Sequence, residues 1–499
     1  LATGLLGILL AAMMAGLCSR MPALVLADIQ GGLGFSQDDA SWLTTAYAAG
    51  ELAAMPFAAW FAITFSMRRF HLMLLAVSLV LSAVQPQVHD LHLLIVLRAA
   101  HGTSAGALVP ILMMAALRFL PASIRLHGLA LFAMTATLAP NVAVWLSAQA
   151  VDGAENWRLA FWLTIPVGAL AWGMVAWGIP AMPPVLARLR HANWLGMGLG
   201  MTGLALLVVG IDQGVRLDWF NSPLITAALG AGATLTTLFL LSEWLHPAPF
   251  VRLDLFGRRN IAFSAICLVC MLTVMLSAVA VPAGVLARLH GFRLAQTAPL
   301  GLIVGLPQLV LGSCVSWLLY RRWVDARHVF AVGMSCMAAA CWLASDITDQ
   351  WMVRELLGST LLHVIGQPLA MVAMLYLVVS VVQPMEGPFL AGVINIVRVL
   401  ATIIGGAFIG ELTAVRTRFH LESLRDQVGL LSHRLTDLDT PGGLIGTVAR
   451  EAGVLAAADV YRSIAVIALL LIPLILNFQH IPAPVLPDTP ASGPSAARA

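Results

Sequence analysis

Stretches of about twenty mostly apolar residues, the length a helix needs to cross a bilayer, recur along this whole chain. Fourteen can be marked, near 3–26, 41–63, 71–88, 91–115, 127–150, 158–179, 193–211, 223–244, 260–283, 297–319, 328–345, 352–381, 388–412 and 457–478. No soluble fold has interior enough for them. Of 499 residues, 60% are hydrophobic and 10% charged, whereas a soluble domain carries about 25% charged residues. The solvent is therefore lipid, and the expected fold class is an all-α integral membrane protein with fourteen transmembrane helices. The third and eleventh runs are the shortest. The first begins at Leu1 and is read as a span rather than a cleavable leader.

Arginine sets the expected topology. The 27 basic residues are all Arg. With both termini cytoplasmic, the loops after even-numbered helices face the cytoplasm. They hold Arg68, Arg69, Arg118, Arg125, Arg188, Arg190, Arg252, Arg258, Arg259, Arg321, Arg322 and Arg327. The opposite short loops hold only Arg158, Arg216, Arg288, Arg293 and Arg354, as the positive-inside rule requires. One segment on that opposite side is long, 413–456. "FHLESLRDQVGLLSHRL" within it has a helical period, and "TPGG" ends the pattern. A short amphipathic helix outside the membrane is expected there. The tail 481–499, rich in Pro, Ala and Ser, is expected to be disordered.

The chain repeats itself. "GFSQDDASWL" starts at Gly34 after the first run, and "GFRLAQTAPL" at Gly291 after the ninth, 257 residues later. "RAAHG" at Arg98 and "RELLG" at Arg354 match at an offset of 256. Helices 1–6 (residues 1–180) and 9–14 (251–480) are then two related six-helix bundles, with two linking transmembrane helices inserted at 181–250. Two bundles around a midplane cavity are the design of an alternating-access transporter.

Particular motifs sharpen this. "LLIVLRAAHGTSAG" is similar to a fourth-helix pattern Leu-x-x-x-Arg-x-x-Gln-Gly at Leu94, Arg98, His101 and Gly102. "NWRLAFWLTIPVG" resembles a Trp-Arg-x-x-Phe-x-x-Asn-x-Pro entry into helix six. On these motifs and the six-plus-two-plus-six count, the chain resembles the major facilitator superfamily. Within it, the resemblance is to the 14-helix drug:proton antiporters of EmrB/QacA type. Departures from the family are specific. The loop after helix two has Ala59, Ile63 and Ser66 where the family has Gly, Asp and Gly. The helix-five antiporter motif becomes "APNVAVWLSA", with Val144 at its proline and with Ala139, Pro140, Ala143 and Ser147 left to permit close packing. The family's first-helix Asp aligns with Cys18.

The apolar runs also contain charges. Arg20 sits in "AGLCSRMPA", Glu51 in "AYAAGELAAMP" and Arg98 in helix four. A charge at mid-bilayer costs roughly 2.5–3.5 kcal/mol on insertion scales unless it is paired or faces water. Counted at ~1.5 Å per residue, the three lie at similar depths, and the family fold puts helices 1, 2 and 4 on one side of the cavity. Arg20, Glu51, Arg98 and His101 are therefore the proton-coupling candidates, with Glu51 the protonation site. A static Arg20–Glu51 salt bridge is the alternative. For His101, a structural role and a proton relay are equally open. The expected substrate cavity draws on Asn141, Trp145, Gln308, His363, Gln367, Asn395 and Arg398. Gln308 lies 257 residues after Glu51.

Other functions lack their chemistry. The six cysteines lie in apolar segments, and Cys267–Cys270 has no second ligand pair, so no metal site is expected. There is no nucleophile elbow and no phosphate-binding glycine loop, so neither an enzyme nor an ATP-driven pump is expected. The net charge of +3 suggests no nucleic-acid partner. The resemblance implies a proton-coupled exporter of amphipathic or aromatic small molecules in a bacterial inner membrane, with no cofactor beyond the proton gradient. It further implies a periplasmic membrane-fusion adaptor and an outer-membrane channel as partners. An importer or facilitator, or a mainly structural subunit of an envelope-spanning assembly, remains the alternative.

Overall fold

The computed structural model describes residues 1–383, 386–431 and 441–482, and among these no strand forms. Fourteen helices are long and apolar enough to span a membrane. The first six are α1 (Ala2–Leu24), α2 (Gln37–Phe65), α3 (Met67–Gln87), α4 (Leu91–Phe119), α5 (Ser123–Gly153) and α6 (Leu159–Gly178). Then come α7 (Trp194–Gly214) and α8 (Pro223–Leu245). The rest are α9 (Arg259–Ala278), α10 (Leu294–Leu319), α11 (Ala326–Ala344), α12 (Leu357–Val379), α13 (Gly387–Leu431) and α14 (Pro441–Leu476). An even number of spans returns the C-terminus to the face where α1 begins, called here the terminal face.

Helices α1–α6 pack together, and so do α9–α14. The seam between the two groups is made by α5 against α10 and by α2 and α4 against α13. The helix α7 touches α2 on one side and α13 on the other, and α8 packs on α7. At one pair of positions 257 residues apart the backbone is alike. Gly34 and Gly291 each end a helix in the left-handed region, at φ +72° and +66°, where glycine avoids a β-carbon clash.

Glycine also fixes one crossing that positions the site. A β-carbon at Gly50 of α2 would overlap the Ala99 carbonyl of α4, and one at Gly102 of α4 would overlap the Tyr47 carbonyl of α2. The two backbones therefore touch, as small residues allow, and the Tyr47–Glu51 stretch is pressed against α4.

Two expectations need correction. Arg98 is buried in mid-helix, but Arg354 is exposed in the turn before α12, so the 256-residue match does not pair equivalent residues. Among the described residues of 413–456 no separate amphipathic helix forms. Instead α13 continues unbroken to Leu431 and α14 already begins at Pro441, so most of the segment is helical extension of the last two spans. An isolated short helix is marginal in water, whereas a continuous one inherits its nucleus from the span. Residues 432–440 and 483–499, including most of the expected disordered tail, lie outside the described residues.

Candidate functional site

A cavity of about 530 Å³ opens between α1, α2, α5, α7, α9 and α13. Arg20, Glu51, Asp212 and Arg398 all line it, with Ser19 and Pro140. By their places along the helices Arg20 and Asp212 lie toward the end away from the terminal face, and Glu51 and Arg398 nearer mid-depth. Glu51 accepts one hydrogen bond, from Ser19 Oγ at 3.4 Å. Arg20 and Arg398 share the cavity lining with it, and Arg98 lies outside that lining. Among the described residues none of them comes within 4.0 Å of Glu51. The Arg20–Glu51 salt bridge is thus absent as a contact: the charges share a cavity at longer range.

Arg398 comes from the second bundle and reaches the first. Its Nη1 donates to Thr135 Oγ1 of α5 at 3.4 Å, and its guanidinium lies 5.6 Å from the centre of the Phe132 ring. Arg398 also lines a narrow apolar recess toward the terminal face, with Phe132, Leu268, Met371, Met374 and Ile394. It therefore stands between a charged chamber and an apolar one.

Arg98 lies behind this cavity rather than in its wall. Proline has no N–H and leaves the carbonyl four residues earlier without its helical donor. Pro22 is four residues after Cys18, and Arg98 Nη1 donates to the Cys18 carbonyl at 3.4 Å. Arg98 Nε donates to the Leu43 carbonyl at 3.2 Å, and the guanidinium sits 4.4 Å from the Tyr47 ring centre. Its Nη2 has no partner. "CSRMP" thus carries two separate features, a charge for the cavity and a freed carbonyl for Arg98.

His101 is buried, with a full set of partners. Gln85 Nε2 donates to the Leu97 carbonyl at 3.0 Å and lies 3.3 Å from His101 Nδ1. An amide nitrogen is a donor, so in this placement Nδ1 stands as the acceptor. That Nε2 lies 3.0 Å from Ser78 Oγ and 3.4 Å from Ser82 Oγ. This is the geometry of a structural histidine, away from the cavity wall.

The remaining expected cavity residues are dispersed. Asn141 faces α10, where a β-carbon at Gly301 would come 2.8 Å from its carbonyl oxygen. Trp145 is 39% exposed and lines no cavity described here. Gln308, His363, Gln367 and Asn395 are buried inside the second bundle and outside the cavity lining. Gln308 has no partner for either amide atom. His363 Nε2 lies 3.1 Å from Ser277 Oγ. Asn395 Nδ2 donates to the Ala391 carbonyl of its own helix at 2.7 Å. In the helix-five motif, Ala139 packs against Gly16 of α1, Pro140 lines the cavity, and Ala143 and Ser147 are fully buried.

Sequence reasoning missed Asp212, because the seventh run was ended at residue 211. The structure carries α7 to Gly214, which puts Asp212 in its last turn. A carboxylate closing an otherwise uncharged run was the available signal. No group of three or more His, Cys, Asp or Glu side chains suited to a metal occurs among the described residues.

Comparison with known proteins places this geometry. The family model described as Major Facilitator Superfamily matches residues 8–406. The chain is 22% identical to a colistin resistance protein EmrB of Acinetobacter baumannii, over 90% of this chain and 88% of that one. It is 22% identical to a fatty acid resistance protein FarB of Neisseria gonorrhoeae, over 90% of each. To the multidrug export protein EmrB of Escherichia coli it is 24% identical over 63% of this chain and 62% of that one. Among solved structures it superposes on the human organic anion transporter MFSD10 with a TM-score of 0.60 at 12% identity, covering 95% and 98% of the two chains. On the proton:xylose symporter XylE the TM-score is 0.56 at 14% identity, covering 96% of each.

Proposed function

Because this chain belongs to the major facilitator superfamily and is a multi-pass membrane protein, we propose that it exports amphipathic or aromatic small molecules across the bacterial inner membrane, driven by the proton gradient. The names of its EmrB and FarB relatives support export. The observation that carries the reading is the meeting of Glu51 and Arg20, from the first bundle, with Arg398, from the second, in one cavity. A carboxylate that gains and loses a proton there changes the attraction between the bundles. The ionised form draws Arg398 toward α1 and α2, and the neutral form releases it. Rocking of the bundles about a fixed central site is thereby linked to proton binding. The small apolar recess on the other side of Arg398, about 30 Å³, is lined by Met371, Met374 and Phe132, and methionine side chains adapt their shape to apolar surfaces.

In this reading both termini are cytoplasmic, as the arginine distribution favours. The helical extensions of α13 and α14 then project into the periplasm as the dock for a membrane-fusion adaptor and outer-membrane channel. The ion pair of Arg416 with Asp459, and the bond of His420 to Asp459 at 2.7 Å, tie the two extensions together.

The test is transport by purified protein in proteoliposomes, with and without an imposed pH gradient, over a panel of amphipathic compounds. Gradient-dependent flux is expected; flux indifferent to the gradient would indicate a facilitator. For the dock, replacing 420–450 by a short linker should abolish resistance in cells and leave proteoliposome flux intact. Full resistance in cells would reduce the extension to a connector.

A further inference from the structure

The inserted helix α7 closes one wall of the cavity and brings its own charge. We propose that Asp212 is the specificity-determining carboxylate of the cavity and takes the cationic end of an amphipathic substrate. This deepens the transport reading and rests on it.

Asp212 lines the cavity together with Arg20, Glu51 and Arg398, and among the described residues it makes no ion pair. Its one protein donor is the Thr45 hydroxyl. That hydroxyl accepts from Gln213 Nε2, whose amide oxygen accepts from Arg216 Nε at 2.6 Å. Arg216 is held in turn by Asp38 at 2.7 Å. The bonds from Arg216 Nε through Gln213 and Thr45 run toward Asp212, while Arg216 Nη1 donates the other way to Asp38, which neutralises its charge. A carboxylate so held is preorganised, which lowers the ordering cost of binding.

The cavity is also polar along its length. Thr45 and Glu51 are six residues apart on α2, so Asp212 lies ~9 Å along the helix axis from Glu51. At the Glu51 end two guanidinium groups, Arg20 and Arg398, stand against one carboxylate and leave a surplus positive charge. At the Asp212 end the carboxylate is unopposed. Between them the wall is mostly apolar, with Leu26, Ala48, Val399 and Ile403, and carries the hydroxyls of Thr44 and Thr402. A cation is repelled from one end and attracted to the other, which orients an amphipathic molecule with its cationic group at α7.

Tetraphenylphosphonium and tetraphenylborate have one shape and opposite charge, so the pair isolates the electrostatic part of recognition. Equilibrium binding of each to the purified full-length protein is measured for wild type, Asp212→Asn and Thr45→Val. Asp212→Asn should weaken the phosphonium by about tenfold or more and change the borate by less than about twofold. Thr45→Val removes a donor but keeps the carboxylate, so it should retain most of the phosphonium affinity. Phosphonium binding within about twofold of wild type in Asp212→Asn would overturn the proposal. So would equal weakening of both ions, which would make Asp212 a packing residue. Binding needs no gradient, so loss of charge discrimination and loss of gradient-driven flux are separate failures.

Discussion

The two bundles carry the same buried device in mirrored form. In the first, Cys18 of α1 lies 3.9 Å from Ser82 of α3, and Ser82 lies 3.4 Å from His101 of α4. In the second, Ser277 at the end of α9 lies 3.1 Å from Cys341 of α11 and 3.1 Å from His363 of α12. Cysteine and serine have changed places, with the same 64-residue spacing in both. The repeat therefore reaches the hydrogen bonds that tie each bundle's helices together. Charge is where the bundles part. The first holds Arg20, Glu51 and Arg98 inside its helices, whereas the second has neutral groups in its interior and sends Arg398 out to the cavity. Gln308, at the repeat distance from Glu51, is buried with both amide atoms unpartnered. Two bundles with similar ties thus differ in charge. The first half offers both Arg20 and Glu51 to the cavity, and the second offers Arg398 and contributes most of the apolar recess.

That asymmetry can be broken by mutation. The largest effect is expected at Glu51: Glu51→Gln keeps size and hydrogen bonding but cannot cycle a proton, so gradient-driven flux should fall by about 100-fold while substrate still binds. Full flux in this variant would mean that the charged bundle is not the coupling half. The mirrored histidines come next. His101 has several partners and His363 one, so His101→Leu should lower stability by about 2–3 kcal/mol and His363→Leu by about 1 kcal/mol, read as melting temperature in detergent. Equal losses would mean that the two ties bear equal loads. The smallest effect is at Gln308, and its sign is opposite. An unsatisfied buried amide is itself unfavourable, so Gln308→Leu should raise stability by about 1 kcal/mol with flux unchanged. Lost flux in a stable Gln308→Leu protein would place a functional polar group in the second bundle after all.

Part of the site was legible in the sequence. Arg20, Glu51 and Arg398 stand out because charges are rare in apolar runs, and all three line the cavity. Arg98 and His101 stand out for the same reason, yet they are buried behind it. Their depth along the helix could be counted from residue spacing. Their direction around it could not, because Pro22 and the glycine contact of α2 with α4 turn Arg98 toward carbonyls of α1 and α2. Trp145 failed differently, since an aromatic side chain suits lipid and cavity equally well.

The sequence by itself determined the number of spans and the presence of buried charge. Each depends on local composition, and a bilayer imposes one length and one polarity on every helix that crosses it. Only the tertiary structure decided which charges share a cavity, that the inserted helix α7 supplies one of them, and that the last two spans continue as helices beyond the apolar stretch. The physical reason is that lipid and protein interior are almost equally apolar. A membrane helix therefore carries little of the one-sided pattern that marks the inner face of a soluble helix. Its facing is set by contacts with helices far away in the chain, here the glycine crossing of α2 with α4 and the wedging of α7 between α2 and α13.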